Sequence, residues 1–122
     1  MTSSIPVNVV AQPEFIGQHE DKFAFAYTIY ITNRSDQTIT LKNRHWIITH
    51  ADGTVEEVIG EGVIGKNPQL APGESYSYTS GALIPTAVGS MRGSYGFVTA
   101  NGDSFRADIP EFALHNPDTP LH

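Results

Sequence analysis

The chain has 122 residues, of which thirteen are acidic and seven basic, so its net charge is −6, and it contains no cysteine. The length suits one domain with its own hydrophobic core. The acidic balance argues against general nucleic-acid binding, and the lack of cysteine excludes disulfides and thiolate metal sites.

The N-terminal stretch MTSSIPVNVV is polar and then alternating, unlike a signal peptide. No apolar run approaches the ~20 residues of a membrane-spanning helix. We therefore expect a cytoplasmic protein with no membrane partner, no nucleic-acid partner and no cofactor.

Alternation of apolar and polar residues predicts the first strands. A short strand is expected from Val7 to Gln12, ending before Pro13. The next strand, FAFAYTIYITN, places five apolar side chains on one face: Phe23, Phe25, Tyr27, Ile29 and Ile31. Such a strand is half-buried.

The third strand changes parity along its length. Ile39 and Leu41 occupy odd positions, whereas Trp46 and Ile48 occupy even ones. A switch of this kind implies an inserted residue, so we predict a β-bulge or kink near Asn43 to His45. We also expect Trp46 to be a core residue of the kind found in immunoglobulin-like sandwiches.

Turn residues separate the later strands. Asp52-Gly53 and Asn101-Gly102 each predict a hairpin with a type I′ turn, in which both central residues have positive φ. The segment from Ala71 to Glu74, with sequence APGE, predicts a type II turn. Tyr76 and Tyr78 then share one face of a strand, and the last strand is expected to end at Pro110.

About seven strands at regular spacing, with no helical period, predict an all-β fold. The expected architecture is a single antiparallel β-sandwich, immunoglobulin-like or fibronectin type III-like. One domain is predicted over residues 1–122, with an ordered core over about residues 5–115.

The segment GEGVIG, residues 60–65, has the glycine spacing of a dinucleotide-binding loop. Such a loop requires a following helix, and Pro68 and Pro72 prevent one here. The P-loop pattern is met by Gly60, Gly65 and Lys66, but Asn67 replaces the hydroxyl that binds Mg²⁺. We therefore favour a structural role, in which the glycines of a loop crossing between the sheets permit positive φ or close packing. The alternative is ligand binding through Gly60, Gly62, Gly65 and Lys66.

No motif predicts catalysis or a metal centre. None of the five histidines has HxH or HExxH spacing, and GxSxG does not occur. Histidine and acidic residues near Asp52 and at positions 19–21 could form only weak sites, since a stable one needs three or four ligands. The neighbouring Glu56 and Glu57 are expected to face opposite sides of a strand. The chain is therefore expected not to be an enzyme.

Exposed aromatic residues and sheet edges predict interactions instead. Tyr30 lies opposite the core stripe, and Phe112 near the C-terminus either joins it in a contact surface or packs against the end of the sandwich. Sheet edges can accept a strand from a protein partner or from a second copy of the chain.

Several segments together carry a family resemblance. GEGVIGKNPQLAPGESYSYTSG, residues 60–81, resembles the hallmark segment of the bacterial ApaG family, and FAYTIYITN, RHWIITHADG, GSMRGSYGF and DIPEFAL resemble it in order and spacing. The resemblance covers most of the chain. It implies a fibronectin type III-like sandwich and an association with cobalt and magnesium efflux or tolerance.

The resemblance supplies no catalytic residues. Similar domains occur within eukaryotic F-box proteins and a DNA polymerase delta-interacting protein, where they look like interaction modules. Two hypotheses follow: a non-enzymatic protein-binding module with an indirect role in efflux, or a protein that binds nucleotide, pyrophosphate or a divalent cation at the glycine loop.

Overall fold

Eight β-strands account for the secondary structure of residues 6–117, the part of the chain that this computed structural model describes. In chain order they are β1 Val7–His19, β2 Lys22–Asn33, β3 Ile39–His50, β4 Val55–Glu61, β5 Gln69–Leu70, β6 Ser75–Ile84, β7 Val88–Thr99 and β8 Ser104–His115. The count exceeds the predicted seven by β5, whose two residues are too few to show a periodic pattern. The domain predicted for residues 1–122 extends beyond the described residues at both ends.

The strands form two antiparallel sheets packed as a sandwich. The first sheet has the order β1-β2-β6, and the second has the order β4-β3-β7-β8, with β5 also paired to β3. This all-β architecture confirms the predicted fold class. No helix that is both long and apolar enough to cross a membrane occurs in residues 6–117.

The core is formed by the facing sides of the two sheets. From β2 it receives Phe25, Tyr27, Ile29 and Ile31, as the alternation predicted, and Trp46 is buried against Tyr27 with ring centroids 5.3 Å apart. Phe112 packs against the same tryptophan at 5.9 Å. Phe112 therefore joins the core from within β8, which supports the packing alternative and not the exposed surface. Tyr30 is exposed on the other face of β2, as predicted.

A bulge in β3 explains the parity switch. The pairing of β3 with β7 shifts register between Leu41 and Asn43, so Lys42 is the extra residue. Ile39 and Leu41 are buried before the bulge, and Trp46 and Ile48 are buried after it. The bulge was predicted correctly in kind, although it lies just before the expected range from Asn43 to His45.

Both proline boundaries were wrong. β1 continues through Pro13 to His19, and β8 continues through Pro110 to His115. Each strand lies at the edge of its sheet and carries a register shift, after Phe15 in β1 and opposite Met91–Gly93 in β8. A proline is tolerated in such places because an N–H there would face solvent or lie in a bulge, so its absence removes no hydrogen bond between strands.

The two glycine hairpins exist, but their turn type differs from the prediction. Gly53 and Gly102 have φ of 88° and 89°, whereas neither Asp52 nor Asn101 has a positive φ. In the first hairpin the His50 carbonyl accepts from Gly53 N, and His50 N donates to the Thr54 carbonyl. These bonds define a three-residue loop with a type I turn and a glycine bulge. The second hairpin repeats the pattern.

The chain passes from the second sheet to the first at the segment from Ala71 to Glu74. Glu74 N donates to the Ala71 carbonyl, and Gly73 has a φ of 83°, as a type II turn requires. The glycine loop does not cross between the sheets, because β4 before it and β5 after it both pair with β3. The prediction that this loop is the crossover was therefore wrong.

Buried Asn33 links the two sheets beside this crossover. Its amide nitrogen donates to the carbonyls of Leu70 at 3.0 Å and Gln37 at 2.7 Å, and its Oδ1 accepts from the Ser35 backbone N–H and hydroxyl. All hydrogen-bonding groups of the side chain are therefore satisfied, as burial demands.

The two sides of the sandwich differ. On one side β1 and β8 lie against each other and close the core. On the other side β4 and β6 form no comparable contact, and a cleft opens between them. This open side contains the features described next.

Candidate functional site

The glycine motif forms a tight turn at the end of β4. Ile64 and Gly65 have φ of 49° and 70°, and Val63 and Lys66 exchange two backbone hydrogen bonds across them. These features define a type I′ turn, the type that had been expected at the other hairpins. The next strand is the two-residue β5, so no helix N-terminus faces the loop.

Each glycine of the motif has its own structural reason. A Cβ at Gly60 would lie 2.7 Å from Nη2 of Arg44, so a side chain at this position would displace the guanidinium from its observed place. A Cβ at Gly62 would lie 2.3 Å from the Lys66 carbonyl oxygen, and the φ of Gly62 is 61°. Gly65 has open space around it but needs positive φ for the turn. The predicted positive φ is therefore present at two of the three glycines.

Arg44 is the charged residue around which the motif is arranged. It shares the inner face of β3 with Trp46 and Ile48. Its Nη1 donates to the carbonyls of Glu61 and Gly62, both at 2.9 Å. No carboxylate of residues 6–117 pairs with it within 4.0 Å, and no protein acceptor in that range bonds its Nε or Nη2.

The Arg44 side chain lines a cleft of about 310 Å³ between β4 and β6. A smaller depression of about 150 Å³ adjoins it and shares Tyr27, Arg44, Trp46 and Ser80 with it. The wall between the two strands is mainly apolar, with Val58 on the β4 side and Ala82 and Leu83 on the β6 side.

Tyr27 lines the inner end of the cleft and Tyr78 lines the adjoining depression, with buried Tyr95 behind Tyr78. The Tyr78 and Tyr95 hydroxyls are hydrogen-bonded to each other, and Tyr27 lies beside Arg44 and Ser80. Burial raises the pKa of Tyr78 and of Tyr95 far above the ordinary value, and burial also raises the pKa of Tyr27 despite opposing effects of Ser80 and Arg44. The three hydroxyls are therefore neutral at physiological pH.

The opposite end of the cleft is acidic. Glu56 lines it, with Oε1 3.5 Å from Nε2 of His50, whose Nδ1 bonds the Thr54 hydroxyl at 2.9 Å. Glu57 turns to the outer face and meets His45 at 2.6 Å. The prediction that the two glutamates face opposite sides is thus confirmed.

The described residues contain no group of three or more histidine, cysteine, aspartate or glutamate side chains placed to hold a metal ion. Asp52 bonds the backbone N–H and hydroxyl of Thr54, and these bonds lower the pKa of Asp52. His50 and Asp52 both contact Thr54, so they stabilise the hairpin. His122, another of the five histidines, lies outside the described residues.

Large apolar side chains are exposed along the open side: Leu83 and Ile64 border the cleft and its adjoining depression, and Val55 and Ile59 lie on the outer face of β4. Val55 and Ile59 on β4 are 61% and 73% exposed, Leu83 on β6 is 53% exposed, and Ile64 in the turn is 58% exposed. Ile64 also combines a β-branched side chain with positive φ, a strained conformation that is uncommon in proteins. Strain and exposed apolar surface are both features of binding sites.

Of the predicted ligand-binding residues, the structure brings Gly60 next to the cleft and leaves the Lys66 side chain exposed outside its walls. Sequence reasoning missed Arg44. The signal was present, because Arg44 has the same parity as Trp46 and Ile48 after the bulge and so had to face the interior.

Known proteins resemble this chain over most of its length. A profile of the ApaG domain family matches residues 13–99. Protein ApaG of Bradyrhizobium diazoefficiens is 45% identical over 116 residues, covering 92% of this chain and 89% of the relative. Protein ApaG of Shewanella frigidimarina is 46% identical, covering 92% of both chains.

A solved structure shares the fold closely. The crystal structure described as an ApaA protein from Bordetella pertussis has a TM-score of 0.89 at 40% identity, covering 98% of this chain and 100% of that one. The match extends over both sheets and the glycine loop between β4 and β5. The chain belongs to the ApaG domain family.

Proposed function

We propose that this chain is a non-catalytic binding module that takes an extended segment of a partner protein along β4, on the open side of the sandwich. The observation that carries the proposal is the difference between the two pairs of sheet edges. Edge strands β1 and β8 each contain a proline and a register shift, whereas β4 and β6 contain neither.

Natural sheets protect their edges with prolines and bulges, because an exposed edge offers unpaired N–H and C=O groups to another chain. The unprotected edges of this protein lie on both sides of the cleft. Exposed Val55 and Ile59 supply apolar contact along β4. Strand addition combines backbone hydrogen bonds, which give affinity, with side-chain pockets, which give specificity.

The proposed role makes any part in cobalt or magnesium tolerance indirect, exerted through the bound partner. A partner protein also suits the cleft better than a nucleotide does, because the three glycines already have structural roles. Nucleotide, pyrophosphate or cation binding at Gly60, Gly62, Gly65 and Lys66 remains the alternative hypothesis.

The test uses peptides selected from a random twelve-residue display library on the purified full-length protein. Isotope-edited NMR titration with a selected peptide is expected to shift the amide signals of Val55–Glu61 and of the facing residues of β6. Ile59→Lys is expected to weaken binding at least tenfold, because it places a charge in the apolar contact.

Ile16→Lys is the matched control, since Ile16 is 61% exposed on the protected edge strand β1. It is expected to change the dissociation constant less than twofold. Shifts confined to β1 and β8, or equal effects of the two variants, would contradict the proposal. Sedimentation of the free protein tests a second copy as occupant: a dimer dissociated by Ile59→Lys would replace the partner protein with a homo-oligomer formed through β4.

A further inference from the structure

We infer that the Arg44 end of the cleft binds the side-chain carboxylate of an aspartate or glutamate in the extended partner segment. This inference rests on the proposed binding role of the open side and specifies which chemical group of the partner the site recognises. It depends on three observations: the position of the guanidinium, the donors that remain free, and the charges around it.

The guanidinium is fixed before any ligand binds. The Glu61 and Gly62 carbonyls hold Nη1, and the missing side chain of Gly60 leaves room for the group beside β4. A preorganised donor loses little conformational entropy on binding. The glycine motif thus serves recognition indirectly, by positioning an arginine from the neighbouring strand.

The remaining donors suit a carboxylate. With Nη1 occupied, Nε and Nη2 are left, and these two nitrogens form one edge of the guanidinium plane. That edge can donate two parallel hydrogen bonds to one carboxylate. A half-buried guanidinium also gains from a counter-charge, because burial of an unpaired charge is unfavourable.

The charges around Arg44 favour a singly charged group. Arg44 is the only lysine or arginine among the residues that line the cleft or its adjoining depression, and Glu56 lies at the other end. A phosphate with nearly two negative charges would exceed the single positive charge and meet that glutamate. One carboxylate matches one guanidinium.

The length of the cleft along β3 and β4 limits how the residues of the partner segment can be spaced. Arg44 and Ile48, which lie opposite Gly60 and Glu56, are four residues apart on β3, or about 13 Å. An extended segment along β4 would direct alternate side chains into the cleft. An acidic residue would then reach Arg44, and an apolar residue two positions away would reach the wall at Val58 and Leu83.

The intervening side chains would meet the other face of β4. Glu57 and Glu61 lie there beside exposed Ile59, so a lysine or arginine in the partner, with its apolar stem and charged end, fits that side. The expected partner segment is therefore extended and alternating, with acidic and apolar residues facing the cleft and a basic residue between them.

The experiment compares peptides selected on the wild-type protein with their Asp→Asn or Glu→Gln forms. Neutralising the acidic residue is expected to weaken binding at least tenfold. Arg44→Met, which removes the charge and keeps the length, is expected to cause a similar loss and to abolish the preference for the acidic form. Arg92→Met makes the same change at an exposed residue outside the cleft and is the matched control.

The side-chain Nε–Hε signal of Arg44 in the wild-type protein gives a readout that does not depend on how the variant folds. It is expected to shift with the acidic peptide and not with the neutral one. Peptides that bind along β4 without acidic preference, and without an Arg44 shift, would overturn this inference while leaving the proposed function intact. Tighter binding of a phosphoserine form would replace the carboxylate with a phosphate. Failure to select any peptide that contacts β4 would overturn both proposals.

Discussion

Replacing Gly62 with alanine tests whether the glycine motif is built for the backbone or for a ligand. The new Cβ would lie 2.3 Å from the Lys66 carbonyl oxygen, in a residue whose φ is 61°. Gly65→Ala is the informative comparison, because Gly65 has a similar φ of 70° but nothing within 4 Å of its Cβ position. The two variants share the backbone strain and differ in the clash.

The expected losses of unfolding free energy follow from the backbone strain and the close contact. The left-handed conformation costs a non-glycine residue about 1–2 kcal/mol, which is the expected loss of unfolding free energy for Gly65→Ala. At Gly62 the Lys66 carbonyl must also move, and this weakens the two hydrogen bonds between Val63 and Lys66. With about 1 kcal/mol for each bond, the total loss for Gly62→Ala is about 3–4 kcal/mol.

Urea unfolding followed by Trp46 fluorescence measures both losses, and thermal unfolding gives a second estimate. For a chain of this size the melting temperature is expected to fall about 4 °C per kcal/mol. Gly17→Ala is the control, since Gly17 lacks positive φ and has nothing within 4 Å, and it should stay close to wild type. Equal losses for Gly62→Ala and Gly65→Ala would refute the close-contact explanation of Gly62.

Three further predictions concern the core, the crossover and the alternative ligand. Between pH 10.5 and 11.5 the unfolded chain releases the protons of Tyr78 and Tyr95 while the folded chain keeps them, because burial raises both pKa values; the raised pKa of Tyr27 acts in the same direction. Urea titrations should therefore show that the unfolding free energy keeps its full value below pH 10 and then falls as the pH rises, by up to about 1.4 kcal/mol per pH unit for each tyrosine that stays protonated in the folded chain. Tyr95→Phe should reduce this slope, and an unchanged slope would contradict the assignment. Asn33→Asp replaces an amide donor with an oxygen facing two carbonyls, so it should lower the unfolding free energy by about 3 kcal/mol, and a loss below about 1 kcal/mol would show that the sheets do not depend on this link. In a thermal-shift panel of ATP, pyrophosphate, Mg²⁺ and Co²⁺, no change of melting temperature is expected if the glycine motif is structural. A specific ligand at 100 times its Kd would instead raise the unfolding free energy by about 2.7 kcal/mol. Such a response, if lost in Lys66→Ala, would favour the ligand-binding alternative.

Much of the fold could be predicted because its signals are local. The side chains of a strand alternate with period two, so the buried face of β2 and the parity switch before Trp46 were visible in the sequence. The type II turn before β6 was also predictable, since Pro72 and Gly73 restrict or permit the required φ angles within the turn itself.

The errors concern properties that depend on distant residues. Whether a proline ends a strand depends on whether its N–H would face a neighbouring strand, and nothing local to Pro13 or Pro110 shows that its strand is at an edge. The hairpin turns differ for a related reason. A glycine suits both a type I′ turn and a glycine bulge, and the register of the flanking strands decides between them.

The candidate site shows the same limit. The inward direction of Arg44 follows from sequence once the bulge is placed, but its relation to Gly60 depends on the register of β3 with β4. Only the structure shows that a glycine lies opposite the arginine. The glycine motif resembles a ligand-binding loop in the sequence, but in the structure its first glycine is the place where the Arg44 side chain of the neighbouring strand fits.

The bulge at Lys42 shifts the inward-outward alternation of the rest of β3 by one residue. Every side chain after it lies on the face opposite to the one that unbroken alternation would give, and this puts Arg44 and Trp46 on the inner face of β3. If the same sequence formed a regular strand without the bulge, both would turn outward and His45 would turn in, although Lys42 itself is exposed. The identity of residue 42 should therefore matter little, whereas deleting Lys42 should remove the bulge and leave Arg44 and Trp46 facing inward.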